Sequence, residues 1–486
     1  MNRRSFMKMV GGSIAALAVG RAALASDAEH PNLLIIHTDE HNFRTLGCYG
    51  GKIVETPNID FLAAGGAMCT KFYATTPVCS PSCAAFVSGR YPHNTPVETN
   101  NIPMSDEIVT FAEILRGTGY ATGYAGKWHL DGTGKPQWAP QRKFGFEDNR
   151  YMFNRGHWKK MEDTPDGPRV AARNDKDKPT YAVDGADENS FTTDWLATKA
   201  IDFVDAHRNV PFCYMVSIPD PHGPNTVRSP YDTMFNSSQV PIPSTFHKSE
   251  EQTPGWAKPE KGLTEERLKK LIPPYYGMVK CIDDNVGRIL ATLRKNSLLD
   301  RTIVVFTADH GDLCGEHKKL NKGVPYEGSA KIPFVIYYPK KINGGTVVKQ
   351  VLTCVDFLPT ILSLMDVKTA GLEDGRDASG LFAGENLSDF KDIGFLRGTQ
   401  DWLCAVTGDF KIVYSKHDVP WLFDLKNDPD ELTNFYEDPQ YSTVVKDLTA
   451  ELIAYCRKYN DPRLEDPKMG LVGLTKDTEN RCERFS

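Results

Sequence analysis

No C-x-x-C pair occurs in this 486-residue chain, although it holds 11 cysteines. That removes a thiolate-held zinc finger or ribbon from consideration. The cysteines are scattered over positions 48, 69, 79, 83, 213, 281, 314, 354, 404, 456 and 482, and an odd number leaves at least one unpaired within the chain. Beyond the N-terminus no apolar run is long enough to cross a bilayer, so no membrane span is expected in the mature chain. Positive charge is in short supply: 57 basic residues face 63 acidic ones, a formal charge of −6. Binding of nucleic acid by bulk charge is thereby disfavoured, and an anionic substrate has to be held by a local cationic pocket. Internal repeats and low-complexity tracts are also missing.

What is present is ordinary globular composition, 40% hydrophobic and 25% charged, in a chain too long for one comfortable core. Two domains are the expectation. The first 25 residues read as an export signal. Arg3-Arg4-Ser5-Phe6-Met7-Lys8 precedes a mild apolar run from Met9 to Gly20, and Ala23-Leu24-Ala25 offers small residues for cleavage. Paired arginines with Arg21 near the cleavage point fit the twin-arginine route and a periplasmic or secreted product. Cleavage would remove four basic residues and no acid, moving the formal charge from −6 to −10. Chains exported folded need no disulfides, whatever the compartment.

The pattern along the chain is one of alternating strands and helices. Asn32–Thr38, Phe212–Ile218, Thr302–Ala308 and Ile332–Tyr338 are short apolar runs of buried-strand type. Between them, Ile108–Leu115, Trp195–His207 and Tyr275–Leu293 carry helical spacing. This predicts an α/β fold with a mostly parallel sheet, whose ligands sit at the carboxyl ends of its strands. Residues 135–190 and 221–262, rich in charge, Pro and Gly, read as long insertions, with Trp138 and Trp158 placed either to stack on a sugar or to pack the domain. From about Gly371 the pattern changes to short strands around a Gly408-Asp409 turn, then a helix at Tyr441–Tyr455. The division expected is 1–25 signal, 26–370 catalytic domain and 371–486 a smaller antiparallel α+β domain.

The chemistry gathers on a few positions. Ser80-Pro81 reads as a helix start, with Ser80 capping and Pro81 at the first helical position. Cys79 then lies at the positive end of a helix dipole, where a thiol tends toward thiolate and an anion can bind. Asp39-Glu40 and Asp309-His310 close two of the strand candidates. Three carboxylates and an imidazole suit a hard cation such as Ca²⁺ at about 2.3–2.6 Å from oxygen. Lys127 and His129 are two apart and share one face of an extended segment. His222 and Lys322 lie among prolines, glycines and turn formers.

In order along the chain, Thr38-Asp39, Leu46-Gly47-Cys48-Tyr49-Gly50, Thr56-Pro57-Asn58-Ile59-Asp60, Pro77-Val78-Cys79-Ser80-Pro81-Ser82 and Ser88-Gly89-Arg90-Tyr91-Pro92-His93 are followed by Gly126-Lys127-Trp128-His129, Pro221-His222-Gly223-Pro224, Asp309-His310-Gly311 and the stretch from Lys322 to Pro333. This series resembles the type I sulfatases of the alkaline-phosphatase-like superfamily, over about residues 31–460. The resemblance implies a large mixed, mostly parallel sheet flanked by helices, with a smaller C-terminal α+β domain. It implies one Ca²⁺ per chain held by Asp39, Glu40, Cys79, Asp309 and His310, and Cys79 oxidised to formylglycine by a maturation enzyme. One hydroxyl of the aldehyde hydrate would attack sulfur and the other, deprotonated by His129, would expel sulfate. Lys127 would offset charge on the sulfate oxygens, and His222 with Lys322 would protonate the leaving oxygen. The substrate implied is a sulfated sugar or polysaccharide.

Two positions depart from the family pattern. Cys83 stands where the signature C-x-P-S-R carries Arg, and Glu40 where members usually carry Asp or Gln. Cys83 reads as a small buried residue, and a bridge to Cys79 one turn away is the other reading. Two alternatives to a sulfatase stand beside it: a phosphonate or phosphodiester hydrolase on the same scaffold, since relatives with those activities share the Thr-Asp opening and the Cys motif, and, motivated by Cys83, a non-catalytic protein that binds sulfated glycan.

Overall fold

The structure is a computed structural model describing residues 30–369, 371–471 and 474; the export-signal expectation for residues 1–25 lies outside them. Its centre is an eight-stranded sheet. In chain order the strands are β1 (Asn32–Asp39), β2 (Ala67–Cys69), β3 (Ala121–Lys127), β4 (Asp148–Phe153), β5 (Phe212–Pro221), β6 (Thr302–Ala308), β7 (Phe334–Tyr337) and β8 (Thr346–Val348). They lie side by side as β8-β2-β7-β6-β1-β5-β3-β4. The run from β6 through β4 is parallel, and only β7 pairs antiparallel, with β6 and β2. The mostly parallel mixed sheet is therefore the one the apolar runs predicted.

Strand β1 shows why the sequence chooses this place. All eight of its residues are buried. Leu33 and Ile35 enter one core, Leu34 and Ile36 the other, because successive side chains leave a strand on opposite faces. Each such side chain contributes roughly 1.5–3 kcal/mol on burial, and trimming Ile35 to Ala would cost about 2–5 kcal/mol. The odd face packs against α1 (Cys79–Ser88), α2 (Phe111–Gly117) and α5 (Phe357–Leu364). The even face packs against α3 (Thr192–Ala206) and α4 (Glu265–Lys295). Asp39 follows the odd positions, and so it emerges on the side of the sheet where α1 begins.

A second sheet, β9 (Ile393–Arg397), β10 (Trp402–Thr407), β11 (Phe410–Ser415) and β12 (Asp418–Asp424), is a sequential antiparallel meander, with α6 (Ser442–Tyr459) beside it. Its two faces do different things. Leu403, Ala405, Ile412 and Tyr414 join the odd-face core together with Leu448, Leu452 and Ile453 of α6. Trp402, Cys404, Val406 and Val413 instead cover Leu313, Val324 and Tyr326 of the long loop after β6. The small sheet thus shares its hydrophobic core with the large one.

Several local expectations shift. Helix α2 starts at Phe111 rather than Ile108, because Thr110 and Glu113 form a capping box. Helix α4 starts ten residues before Tyr275, capped by Thr264, and carries Pro273 and Pro274 inside. The 135–190 segment contributes β4 to the sheet edge. Trp158 is buried against Tyr181 and packs the domain, while the half-buried Trp138 makes edge contacts with Phe153 and Trp195.

Candidate functional site

The carboxyl ends of β1, β3, β5 and β6 converge with the start of α1. Backbone bonds stitch the ends together: Asp309 N donates to Thr38 O at 3.1 Å and His41 N to His310 O at 2.9 Å. Asp309 Oδ1 accepts from Glu40 N at 3.0 Å and from His310 N at 2.8 Å. Glu40 turns the chain with φ 62, a left-handed conformation that costs a non-glycine residue of order 1 kcal/mol and tends to collect at functional sites.

Helix α1 begins at Cys79 itself, with Val78 as an extended N-cap that makes no side-chain bond. Ser80 lies inside the first turn instead of capping it: its N–H donates to Asn100 Oδ1 at 2.9 Å and its hydroxyl to His129 O at 2.7 Å. Pro81 also falls two positions deeper than expected, still within the turn where no N–H is needed. Cys79 Sγ sits 3.2 Å from His310 Nε2 and 3.8 Å from Asp39 Oδ1. Burial and the Asp39 charge raise its pKa despite Lys127 and Lys322, so the buried thiol stays protonated, contrary to the thiolate tendency expected of a helix start.

Asp39, Cys79, Asp309 and His310 each offer a ligand atom within 4.8 Å of the others, all buried. His310 Nδ1 faces Gly311 O at 3.0 Å, which as a carbonyl accepts only; Nδ1 therefore carries the hydrogen and the Nε2 lone pair points into the group. Burial and the neighbouring Asp39 push Asp309 well above the usual carboxylate range, while Lys127, His222 and His157 outweigh burial and hold Asp39 well below it. The donor set of two carboxylates and an imidazole, gathered beside the Cys79 side chain, fits a divalent cation. Glu40 lies outside this group. Its Oε2 is 2.9 Å from His222 Nε2 and 3.1 Å from Lys322 Nζ, and its buried Oε1 has no hydrogen-bond partner.

The cationic groups face the cluster from three sides. Lys127, at the end of β3, pairs with Asp39 Oδ2 and donates to His157 Nε2 at 2.9 Å. Gly126 precedes it at φ 108, where a Cβ would stand 1.8 Å from Ser217 O, so only glycine lets β3 lie this close to β5. His129 has Nε2 3.2 Å from Asn101 Oδ1 and a buried Nδ1 without a partner. Burial first, then Lys127, lower its pKa to about 2 and keep the ring neutral. Lys322 Nζ lies 2.6 Å from His222 Nε2, whose Nδ1 faces Gly223 O at 2.9 Å. For Lys127 and Lys322 burial opposes the charge, but the carboxylates of Asp39 for the first, and of Glu40 and Asp39 for the second, help to overcome it and hold both ammonium groups charged.

All nine sequence-predicted residues therefore meet in one place. The sequence reading missed His157, Asn100 and Asn101; their stretches showed only polar loop composition, with no periodicity to mark them. Cys83 is half-buried beside the odd-face core, its pKa pushed well above normal by burial, Asp309 and Cys79. It is a free thiol, as are all ten described cysteines, so the bridge to Cys79 is not formed. A cavity of about 280 Å³ lined by Arg44, Thr45, Glu316, His317 and Asp430 contains none of these groups and is a separate feature.

The chain is similar to known proteins in sequence and in fold. The family model described as Sulfatase matches residues 31–367, and one described as N-sulphoglucosamine sulphohydrolase, C-terminal, matches 315–458. The N-acetylglucosamine-6-O-sulfatase of Bacteroides thetaiotaomicron is 26% identical over 92% of this chain and 90% of its own length. A solved enzyme in complex with its substrate D-glucosamine-2-N,6-O-disulfate superposes with a TM-score of 0.75 at 23% identity, covering 90% of this chain and 99% of that one. The phosphonate monoester hydrolase of Agrobacterium radiobacter superposes with a TM-score of 0.73 at 22% identity, over 88% and 96%. At such identities the two superpositions speak for the fold alone.

Proposed function

The chain belongs to the sulfatase family and is a sulfuric-ester hydrolase, and from that premise we propose that it removes sulfate from a sulfated sugar, with position 79 as the reacting centre. The observation that carries the proposal is the placement of Cys79 Sγ, 3.2 Å from His310 Nε2 and beside Asp39, in a pocket ringed by Lys127, His129, His222 and Lys322. The relative named N-acetylglucosamine-6-O-sulfatase acts, by that name, on a sulfated sugar, which supports a sulfated sugar here.

Position 79, once oxidised to formylglycine and hydrated, would supply a geminal diol with one oxygen to attack sulfur and a second to release sulfate. Calcium, held by Asp39, Asp309, His310 and the position-79 side chain, would supply fixed positive charge beside it. The chain's own groups divide the remaining work. Lys127 and Lys322 present charged ammonium groups to the sulfate oxygens. His129 accepts a proton at its unpartnered Nδ1. The Lys322–His222 pair carries the proton for the departing alcohol oxygen, since the Lys322 ammonium already donates into His222 Nε2.

The proposal extends to export by the twin-arginine signal, to a maturation enzyme that oxidises Cys79, and to a catalytic domain ending near residue 370. Among the described residues no helix is long and apolar enough to cross a membrane. The decisive experiment measures rates on a sulfate ester and on the matching phosphate and phosphonate esters with one sample, and weighs the tryptic peptide 72–90 from the native host. A sulfate preference with an aldehyde mass at position 79 is expected. Faster phosphoryl transfer overturns the sulfated-sugar assignment, and an unmodified thiol at position 79 overturns the formylglycine assignment in favour of a glycan-binding module.

A further inference from the structure

The segment Phe153–Lys159 is tied to the site on two sides. On one, Trp128 N donates to Phe153 O at 2.8 Å and His129 N to Asn154 O at 2.7 Å. On the other, the fully buried Lys159 ammonium bonds Asp220, lies 3.1 Å from Met278 Sδ and reaches His222 O at 3.4 Å. Between these anchors stands His157. Its ring lies flat on that of His222, centroids 3.6 Å apart and 8° from parallel. Its Nε2 lies 2.9 Å from Lys127 Nζ and 3.4 Å from Asp39 Oδ2.

We propose that His157 is a positioning residue that couples the two sides of the sulfate pocket, seating Lys127 through its Nε2 and holding the His222 ring by stacking. The inference rests on the sulfatase reading of the same site and adds a residue outside the expected set. The physics is pre-organisation. A lysine ammonium on a four-carbon stem has many rotamers, and a fixed acceptor selects the one that faces the anion. The His222 ring is held at its edge by Gly223 O on Nδ1 and by Lys322 and Glu40 on Nε2, and the parallel His157 ring at 3.6 Å covers its face and fixes its plane. Asp39, His157 and His222 also gather three metal-type ligand atoms. Lys127 and Lys322 already donate into both imidazoles there, so the ammonium groups take the place a second cation would need.

The test compares His157→Ala, His157→Phe and His157→Asn in the full-length chain isolated from its host. Phe keeps a flat ring on His222 and loses the acceptor; Asn keeps an acceptor for Lys127 and loses the stacking. Expected is a fall of about tenfold in kcat for His157→Ala, with a smaller change in KM and an unmoved thermal midpoint, and partial recovery in each of the other two. Calorimetric titration with sodium sulfate should show weaker binding by about threefold in His157→Ala. Wild-type kcat and sulfate affinity in a folded His157→Ala overturn the inference, as does equal loss in all three variants. A wild-type chain inert toward sulfate esters instead overturns the proposed function, and the sulfate titration then decides the role of His157 alone.

Discussion

Half of the site is built by strand ends and half by loops, and the two halves are held by different forces. Asp39, Lys127, Asp309 and His310 sit at or beside the ends of β1, β3 and β6, whose positions follow from parallel ladders in register. His129, His157, His222 and Lys322 lie on loops, and side chains from elsewhere fix those loops. For Lys322 the anchors come from the C-terminal sheet. Trp402 Nε1 donates to Gly323 O at 3.1 Å, and the buried Lys411 ammonium bonds Pro325 O at 2.8 Å, Glu327 at 2.7 Å and Glu431 at 2.8 Å. The strand half is thus as rigid as the fold. The loop half can be loosened one hydrogen bond at a time, and through these bonds the C-terminal sheet touches the segment that follows Lys322 without placing a residue in the pocket.

The largest test strikes the strand-and-helix half. Cys79→Ala should abolish turnover, by at least about a thousandfold, while the thermal midpoint stays near that of the native chain; comparable activity in the variant would discard the nucleophile. Chelation comes next. Removing calcium with EGTA should silence most activity and lower the thermal midpoint, since a cation bound at about a hundred times its Kd stabilises by about 2.7 kcal/mol. Added calcium should restore both. An unmoved midpoint would mean that the carboxylate cluster stands without a cation.

The loop half should give smaller, separable effects. Lys322→Ala should cost at least about tenfold in kcat/KM through lost charge stabilisation, and a rate within about twofold of native would remove Lys322 from the anion pocket. Trp402→Phe is the mildest change. It deletes one N–H and keeps most of the ring, so stability should drop by about 1 kcal/mol. A drop of about threefold in kcat is expected alongside it, measured on the same sulfate ester. A stability loss with kcat untouched would show that the C-terminal sheet supports the fold and not the position of Lys322.

The parallel strands were legible because β1 and β6 are buried on both faces and have to be continuously apolar. Helix limits were less so. Thr110 and Thr264 capped their helices where periodicity alone pointed elsewhere, and α4 ran through two prolines. The nine expected site residues were readable because each stands in a short motif with its own chemistry. His157 was not, because its neighbours carry no pattern; its role exists only through a ring 65 positions away.

By itself the sequence determined which groups the chain brings: the acids closing apolar strands, the cysteine at a helix start, and lysines and histidines in tight glycine-rich turns. Those follow from local rules of burial and backbone geometry. Tertiary structure alone decided that Cys79 is buried beside Asp39 and His310, that Glu40 turns toward His222 and Lys322, and that His157 lies between Lys127 and His222. Charge, distance and desolvation act between groups remote in the chain, so they take values only when the fold has placed every partner.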